Sequence, residues 1–390
     1  MSCWRKAVWS PQRCSRFSRP KLVGPKLVGP KLVGRKTGRP RKVTLMRARL
    51  TIACQADQDP LAAAANVTKA SKSNLNAVGR FLPPAKRRLF EACYASMRVV
   101  DDFVDDDFLG RESAIRADSR AQARGVVDAW RARCEAALAG DPWREIEAGS
   151  VDQDPLIQAG MAPLYDALAQ AGANGAPGPM PWTLLARSMA RDIDEVPISS
   201  WDDFLHYCEG ATVSPAAIFL FVLLAREEGG RLTTRMDEAA LFDHARPMAL
   251  FCYLVHILRD LAKDAARGGQ LVTLPSDRLA HYGLARDGIA EAARAESPGA
   301  LALAQEIADM AGYYRAETVR VQASLAKDLK LRERSILGAL VGVYERLHDR
   351  LAVTPEAALR ADPAVAQGVK QAVFDEFDLA RWQSDEGEEA

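Results

Sequence analysis

Two apolar helical segments of this chain each run into a row of aspartates, an arrangement that stability alone does not favour. The first, "YASMRVVDDFVDDD" from Tyr94 to Asp107, closes with five aspartates in its last seven residues. Each residue of an α-helix advances about 100°. Tyr94, Arg98, Asp101 and Asp105 therefore share one face, and Asp102 and Asp106 form a second row beside them. Two carboxylates about 6 Å apart at an effective dielectric near 20 repel by roughly 3 kcal/mol if both stay ionised. A helix C-terminus adds to the cost, because its dipole disfavours negative charge. Taken alone, the row also reads as a water-exposed acidic helix end, where screening makes the repulsion tolerable.

The second row shifts that balance. "CYLVHILRDLAKDAARG" puts Cys252, His256, Asp260 and Asp264 on one helical face, with Arg259 adjacent. It belongs to an apolar helix, "MALFCYLVHIL", that should be buried. Buried aspartates need a cation. Two facing rows of hard oxygen ligands suit Mg²⁺, which combines carboxylates with substrate phosphates. Arg98 and Arg259, one beside each row, suit anionic oxygens. Together these residues describe a Mg²⁺–diphosphate site in a helical bundle. His256 alone reads more readily as a packed core histidine than as a ligand.

The rest of the chain is consistent with a bundle. Nearly every segment after Asp59 has helical periodicity, and alternating strand-like runs are scarce. The first acidic segment opens with prolines suited to a helix start and is expected to stay helical to Asp107. Further helices are expected around residues 112–138, 184–193, 201–225, 238–266, 300–327 and 332–351. Pro215 should kink the fourth of these helices, counting the first acidic one. At 390 residues and 48% hydrophobic, the chain can bury one large core. The expected organisation is an all-α catalytic domain over 59–352, a basic leader over 1–58, and a helical extension with an acidic tail over 353–390. "AAIFLFVLLA" (Ala216–Ala225) is too short for a membrane span and is read as a core helix.

The net charge of +1 gives no sign of a nucleic-acid partner, but it hides an asymmetry. Met1 to Ala56 carries 15 Lys and Arg and no Asp or Glu. This leader also repeats "PKLVG" three times and reads as disordered. It fits an organelle-targeting segment, a basic arm, or sequence upstream of a true start such as Met46. Seven scattered cysteines without a Cys-x-x-Cys pair suit a reducing compartment and buried thiols.

Both aspartate segments resemble the two Asp-rich motifs of the squalene/phytoene synthase family, the head-to-head prenyltransferases. The usual forms are Tyr-Ala-x-x-Arg-x-x-Asp-x-x-x-Asp and Asn-Ile-Leu-Arg-Asp-x-x-x-Asp. "SKSNLNAVGRFLPP" (Ser71–Pro84) and "TLPSDRLAHYGL" (Thr273–Leu284) resemble the segments that flank them. The resemblance implies an isoprenoid-synthase-type helical bundle around an apolar cavity. Asp101, Asp105, Asp260 and Asp264 would hold several Mg²⁺ ions bridging the diphosphates. Ser71, Lys72, Ser73, Arg98 and Arg259 would contact phosphate oxygens, with Tyr94, His256 and Tyr344 in the substrate site. Tyr207, in "HYCEGATVSPAAIFL", would guide proton removal or face a cation, or else pack in the core.

The implied reaction joins two farnesyl or geranylgeranyl diphosphates 1′-1 through a cyclopropylcarbinyl diphosphate. Its product would be squalene, with NADPH as reductant, or dehydrosqualene or phytoene of carotenoid biosynthesis, by proton loss. The lean is to a C30 product. A cytoplasmic protein, or one in peripheral contact with a membrane, is implied, with organelle import if the leader is genuine. Several positions depart from the family pattern. His256 replaces the motif's Asn, "GATVSPA" replaces the usual cavity-helix pattern, Thr273 replaces a Tyr, and Leu271 an Arg. A head-to-tail prenyl synthase or terpene cyclase would also use "DDFVD", but "DLAKD" is not their second motif. A non-catalytic helper on the same fold is the remaining alternative, and loss of the aspartates should mark it.

Overall fold

Capping residues set where the helices begin, and packing of their apolar faces sets where they lie. The structure is a computed structural model, and it describes residues 59–146, 155–158, 160–268 and 273–382. The basic leader with its repeats, Leu271 and the acidic tail lie outside the described residues. Helix α1 (Pro60–Ser71) starts at Asp59, whose carboxylate accepts the Ala62 amide, with Pro60 in its first turn. It stops at Lys72, which is left-handed at φ 53°. Helix α2 (Asn74–Gly79) is capped by Ser73, and α3 (Pro84–Asp102) carries the first aspartates.

The all-α expectation holds. Helices α4 (Ser113–Ala139), α5 (Ala162–Ala173), α6 (Met180–Ile193) and α7 (Trp201–Cys208) follow, then α8 (Ser214–Leu224). A two-stranded hairpin, β1 (Arg226–Glu228) against β2 (Arg231–Thr233), was not anticipated from the sequence. It turns at Gly229 and Gly230, both at positive φ. Helix α9 (Glu238–Arg267) is 30 residues long and carries the second aspartate row. Helices α10 (Ser276–His281), α11 (Ile289–Arg294), α12 (Pro298–Leu325) and α13 (Leu331–Val353) complete the main bundle. Helices α14 (Pro355–Arg360) and α15 (Val369–Glu376) lie against it, with the Phe374 ring edge-on to Phe81.

Two expectations need correction. The first acidic helix does not stay α-helical to Asp107: after Asp102 it widens into a π turn, Phe103–Phe108, closed by the Leu109 amide on the Val104 carbonyl. Burial of Phe103, Val104 and Phe108 holds this turn in place. The break near Pro215 is likewise a π turn, Glu209–Val213, joining α7 to α8. The Ser214 hydroxyl satisfies the Glu209 carbonyl there at 2.9 Å. Trp201–Leu224 is long and apolar enough to cross a membrane, yet 78% of its most apolar stretch is buried inside the fold. It serves as a core element, as the reading of Ala216–Ala225 anticipated.

The packing around α3 is tied down by indoles. Trp130 of α4 donates to the Ser96 carbonyl and Trp182 of α6 to the Ser96 hydroxyl, each at 2.9 Å. Gly210 lets the second π turn press against α6, since a Cβ there would stand 2.1 Å from the Leu184 carbonyl oxygen. The Ser188 hydroxyl donates to the Tyr207 carbonyl at 2.8 Å across the same contact. That close approach brings α7 and the end of α6 together beside α3.

Candidate active site

Helices α3, α6, α7, α8 and α9 enclose a cavity of about 610 Å³. Apolar side chains, among them Met97, Leu185, Met189, Pro215 and Ile257, line part of its wall. Both aspartate rows face it. Asp101 and Asp105 come from α3 and its π turn, and Asp260 and Asp264 from α9. Ser71, Tyr94, Arg98, Tyr207, His256 and Arg259 also line the cavity. Tyr94 stacks on Phe90, their centroids 5.4 Å apart. The second row of the first motif does not join the lining. Asp102 pairs with Arg98, and Asp106 reaches Arg267 at 3.6 Å.

Three residues expected near the diphosphates sit outside the lining. Lys72 is exposed in the left-handed turn after α1. The Ser73 hydroxyl is engaged as the α2 cap, accepting the Asn76 amide at 3.1 Å. Tyr344 is half-buried outside the lining, and burial raises its hydroxyl pKa. Ser71, by contrast, lines the cavity and donates to the Thr68 carbonyl at 2.7 Å.

Each row carries its own cation. Arg98 Nη1 meets Asp101 Oδ2 at 2.8 Å and its other nitrogen meets Asp102. Burial opposes the Arg98 charge, but the Asp101 and Asp102 carboxylates outweigh it and hold the guanidinium above its ordinary pKa. Arg259 Nη2 lies 2.6 Å from Asp260 Oδ2, and His256 Nε2 lies 3.0 Å from the same oxygen. Burial pushes the Asp260 carboxyl up, but hydrogen bonds from His256 and Arg259 prevail and hold it well below the usual range. His256 is thus a partner of the second row and stands at the cavity wall rather than packed in the core.

A fifth carboxylate of the site was not singled out in the sequence. Asp192, at the end of α6, lines the cavity and accepts the Tyr207 hydroxyl at 3.0 Å. Burial, opposed by that hydrogen bond and reinforced by Asp101, moves its carboxyl to about 7. Burial and the neighbouring Asp101 and Asp192 likewise push Asp105 well above the carboxylate range. Asp264 is raised by burial and by Asp260. In "MARDIDEVP" Asp192 carries no local signal, because its role depends on which helix α6 packs against.

Among the described residues no Lys, Arg or His lies within ion-pair distance of Asp105 or Asp192. Carboxylates gathered in this way and unbalanced by protein cations fit a hard divalent cation in both chemistry and charge. Among the described residues no three His, Cys, Asp or Glu side chains already converge into a ligand cluster. The donors are therefore of the right kind, with a substrate's phosphate oxygens able to supply the remaining positions.

The comparisons with known proteins bear on family and fold. The family model described as squalene/phytoene synthase matches residues 67–369. A crystal structure of a dehydrosqualene synthase in complex with ligand aligns at TM-score 0.60 and 16% identity, covering 83% of this chain and 96% of its own. The crystal structure of squalene synthase HpnC from Alicyclobacillus acidocaldarius aligns at TM-score 0.50 and 20% identity, covering 80% and 96%. At these identities the likeness establishes the fold. No curated protein matches.

Proposed function

Because the chain belongs to the squalene/phytoene synthase family of prenyltransferases, we propose that it joins two farnesyl diphosphates 1′-1 into a C30 product with Mg²⁺. The observation that carries this reading is the facing of two Arg-partnered aspartate pairs, Asp101/Asp105 and Asp260/Asp264, across one partly apolar cavity. Such a cavity accepts a prenyl chain along its apolar wall and a diphosphate at its charged one.

Asp101, Asp105, Asp260 and Asp264 would hold the metal, which when bound supplies charge stabilisation for a departing diphosphate. Arg98 and Arg259 would then turn from their carboxylates to phosphate oxygens, for which the guanidinium fork is suited. Such donors stabilise charge as it develops on the leaving group, the largest single contribution in most enzymes. Met97, Met189, Ile257 and Pro215 keep water from the allylic cation that remains. Tyr207, fixed by Asp192, presents its ring and hydroxyl to that region. The lipidic substrate and product suit work at a membrane surface.

The test is incubation of purified protein with farnesyl or geranylgeranyl diphosphate and Mg²⁺, with and without NADPH, and mass spectrometry of the extract. A C30 hydrocarbon from the farnesyl arm is expected. A C40 product alone would overturn the chain length, and absence of any coupled product from folded protein would favour a non-catalytic helper.

A further inference from the structure

One donor beside the second aspartate row is a nitrogen. His256 lines the cavity on α9 one turn before Asp260, whereas His206, His244, His281 and His348 do not line it. Its Nε2 stands 3.0 Å from Asp260 Oδ2. Residues four apart share a helix face and can meet a single metal, as the paired histidines of a metalloprotease helix do. The separation suits this as well. With bonds of about 2.1 Å, two neighbouring ligands of an octahedral cation lie about 3.0 Å apart. The imidazole side chain is 47% exposed, so its nitrogens are within reach from the cavity. Arg259 Nη2 lies 3.4 Å from His256 Nε2 and 2.6 Å from Asp260 Oδ2. Once that guanidinium turns to a phosphate, nitrogen and oxygen are left side by side on the cavity wall. One turn back along α9 the lining is Tyr253, and Thr273 borders the cavity from its own segment. Neither neutral hydroxyl competes with an imidazole as a ligand.

We propose that His256 binds the second-row cation through Nε2, and that this makes the position rank a first-row transition ion, tested as Mn²⁺, above Mg²⁺. The inference rests on the metal reading above and adds to it a donor and a preference. Mg²⁺ demands oxygen ligands and gives up its waters reluctantly. An imidazole nitrogen gains more from Mn²⁺ and the ions that follow it in the first transition row. A neutral ring with its proton on Nδ1 offers the Nε2 lone pair. A proton held between Nε2 and Asp260 Oδ2 leaves to water as the cation enters. The rival role for His256 is that of a hydrogen-bond donor that orients Asp260 in an all-oxygen site. That role puts no nitrogen on the metal.

The full chain would be loaded with Mn²⁺ and inorganic pyrophosphate, which supplies phosphate oxygens without turnover, and read by pulsed electron paramagnetic resonance. Coupling of the bound Mn²⁺ to a nitrogen nucleus is expected in the wild type, and ¹⁵N labelling of histidine alone should change that signal. His256→Asn, which offers an oxygen donor in place of the imidazole, should bind Mn²⁺ without the nitrogen coupling. The Mg²⁺ concentration that displaces half of the bound Mn²⁺ should fall by about tenfold in this variant. Mn²⁺ bound to the wild type with no histidine coupling would overturn the proposal, and so would a histidine coupling that persists in His256→Asn. Equal displacement by Mg²⁺ in both proteins would overturn the preference. If the variant fails to fold, the labelled wild type still decides whether the nitrogen is on the metal. Should the wild type bind no Mn²⁺ with pyrophosphate, the metal reading falls and the proposal with it; bound Mn²⁺ without nitrogen removes the proposal alone.

Discussion

Asp192→Asn is expected to make the metal-free protein more stable at alkaline pH, although it alters a polar residue in the candidate site. Burial holds the Asp192 carboxyl at about 7 against an ordinary 3.8, despite the hydrogen bond from Tyr207. An acid whose folded pKa lies above its unfolded value binds its proton more tightly when folded. Its stabilising share is therefore complete below 3.8 and is lost as pH rises toward 7. At roughly 1.4 kcal/mol per tenfold difference in proton affinity, the loss reaches about 4 kcal/mol at pH 8 and less than about 2 kcal/mol at pH 5. Asparagine carries no charge and still accepts the Tyr207 hydroxyl, so it escapes that loss. Denaturant unfolding in EDTA at both pH values would measure the difference, with wild type and variant compared at equal slope. The variant should gain at least about twice as much stability at pH 8 as at pH 5, and Mg²⁺ with pyrophosphate should shrink the gap by stabilising the wild type. An equal change at both pH values, or a loss at pH 8, would refute the electrostatic account of the carboxylate cluster.

Other substitutions probe the remaining links. Asp101→Asn or Asp260→Asn should lower turnover at least about a hundredfold with unchanged helical circular dichroism, since each removes a ligand of the metal that would stabilise the leaving group; full activity in either would refute the metal assignment. Lys86 and Glu333 form a buried ion pair at 2.6 Å, with Lys86 also donating to the Leu223 carbonyl at 2.9 Å. Lys86→Met alone should destabilise by about 3–5 kcal/mol by stranding Glu333, whereas Lys86→Met with Glu333→Leu should restore most of it in thermal unfolding. Ser96→Ala strands the buried Trp182 indole N–H and should cost about 1–3 kcal/mol, read in the same assay.

The fold and half of the site could be read along the chain. The apolar period of 3.6 marked α3, α9, α12 and α13 to within a few residues at most of their ends, because helix formation depends on neighbours three and four positions away. The same spacing put Asp101 with Arg98, and Asp260 with His256 and Asp264, since each set lies on one helix. The π turns escaped that logic. Local spacing extends an α-helix through Asp107, and only burial of Phe103, Val104 and Phe108 against other helices widens it.

What the sequence determined by itself was the chemistry on offer: carboxylates at helical spacing, an arginine beside each row, and apolar faces to bury. The tertiary structure decided which of those groups meet. Asp192, Tyr253 and Thr273 join the site from three separate stretches of chain, and Ser73 leaves it for a cap. The physical reason is range. A helix face is set by residues a few positions apart, whereas a carboxylate's charge balance is set by the helices packed around it, as Gly210 shows by letting α7 close on α6.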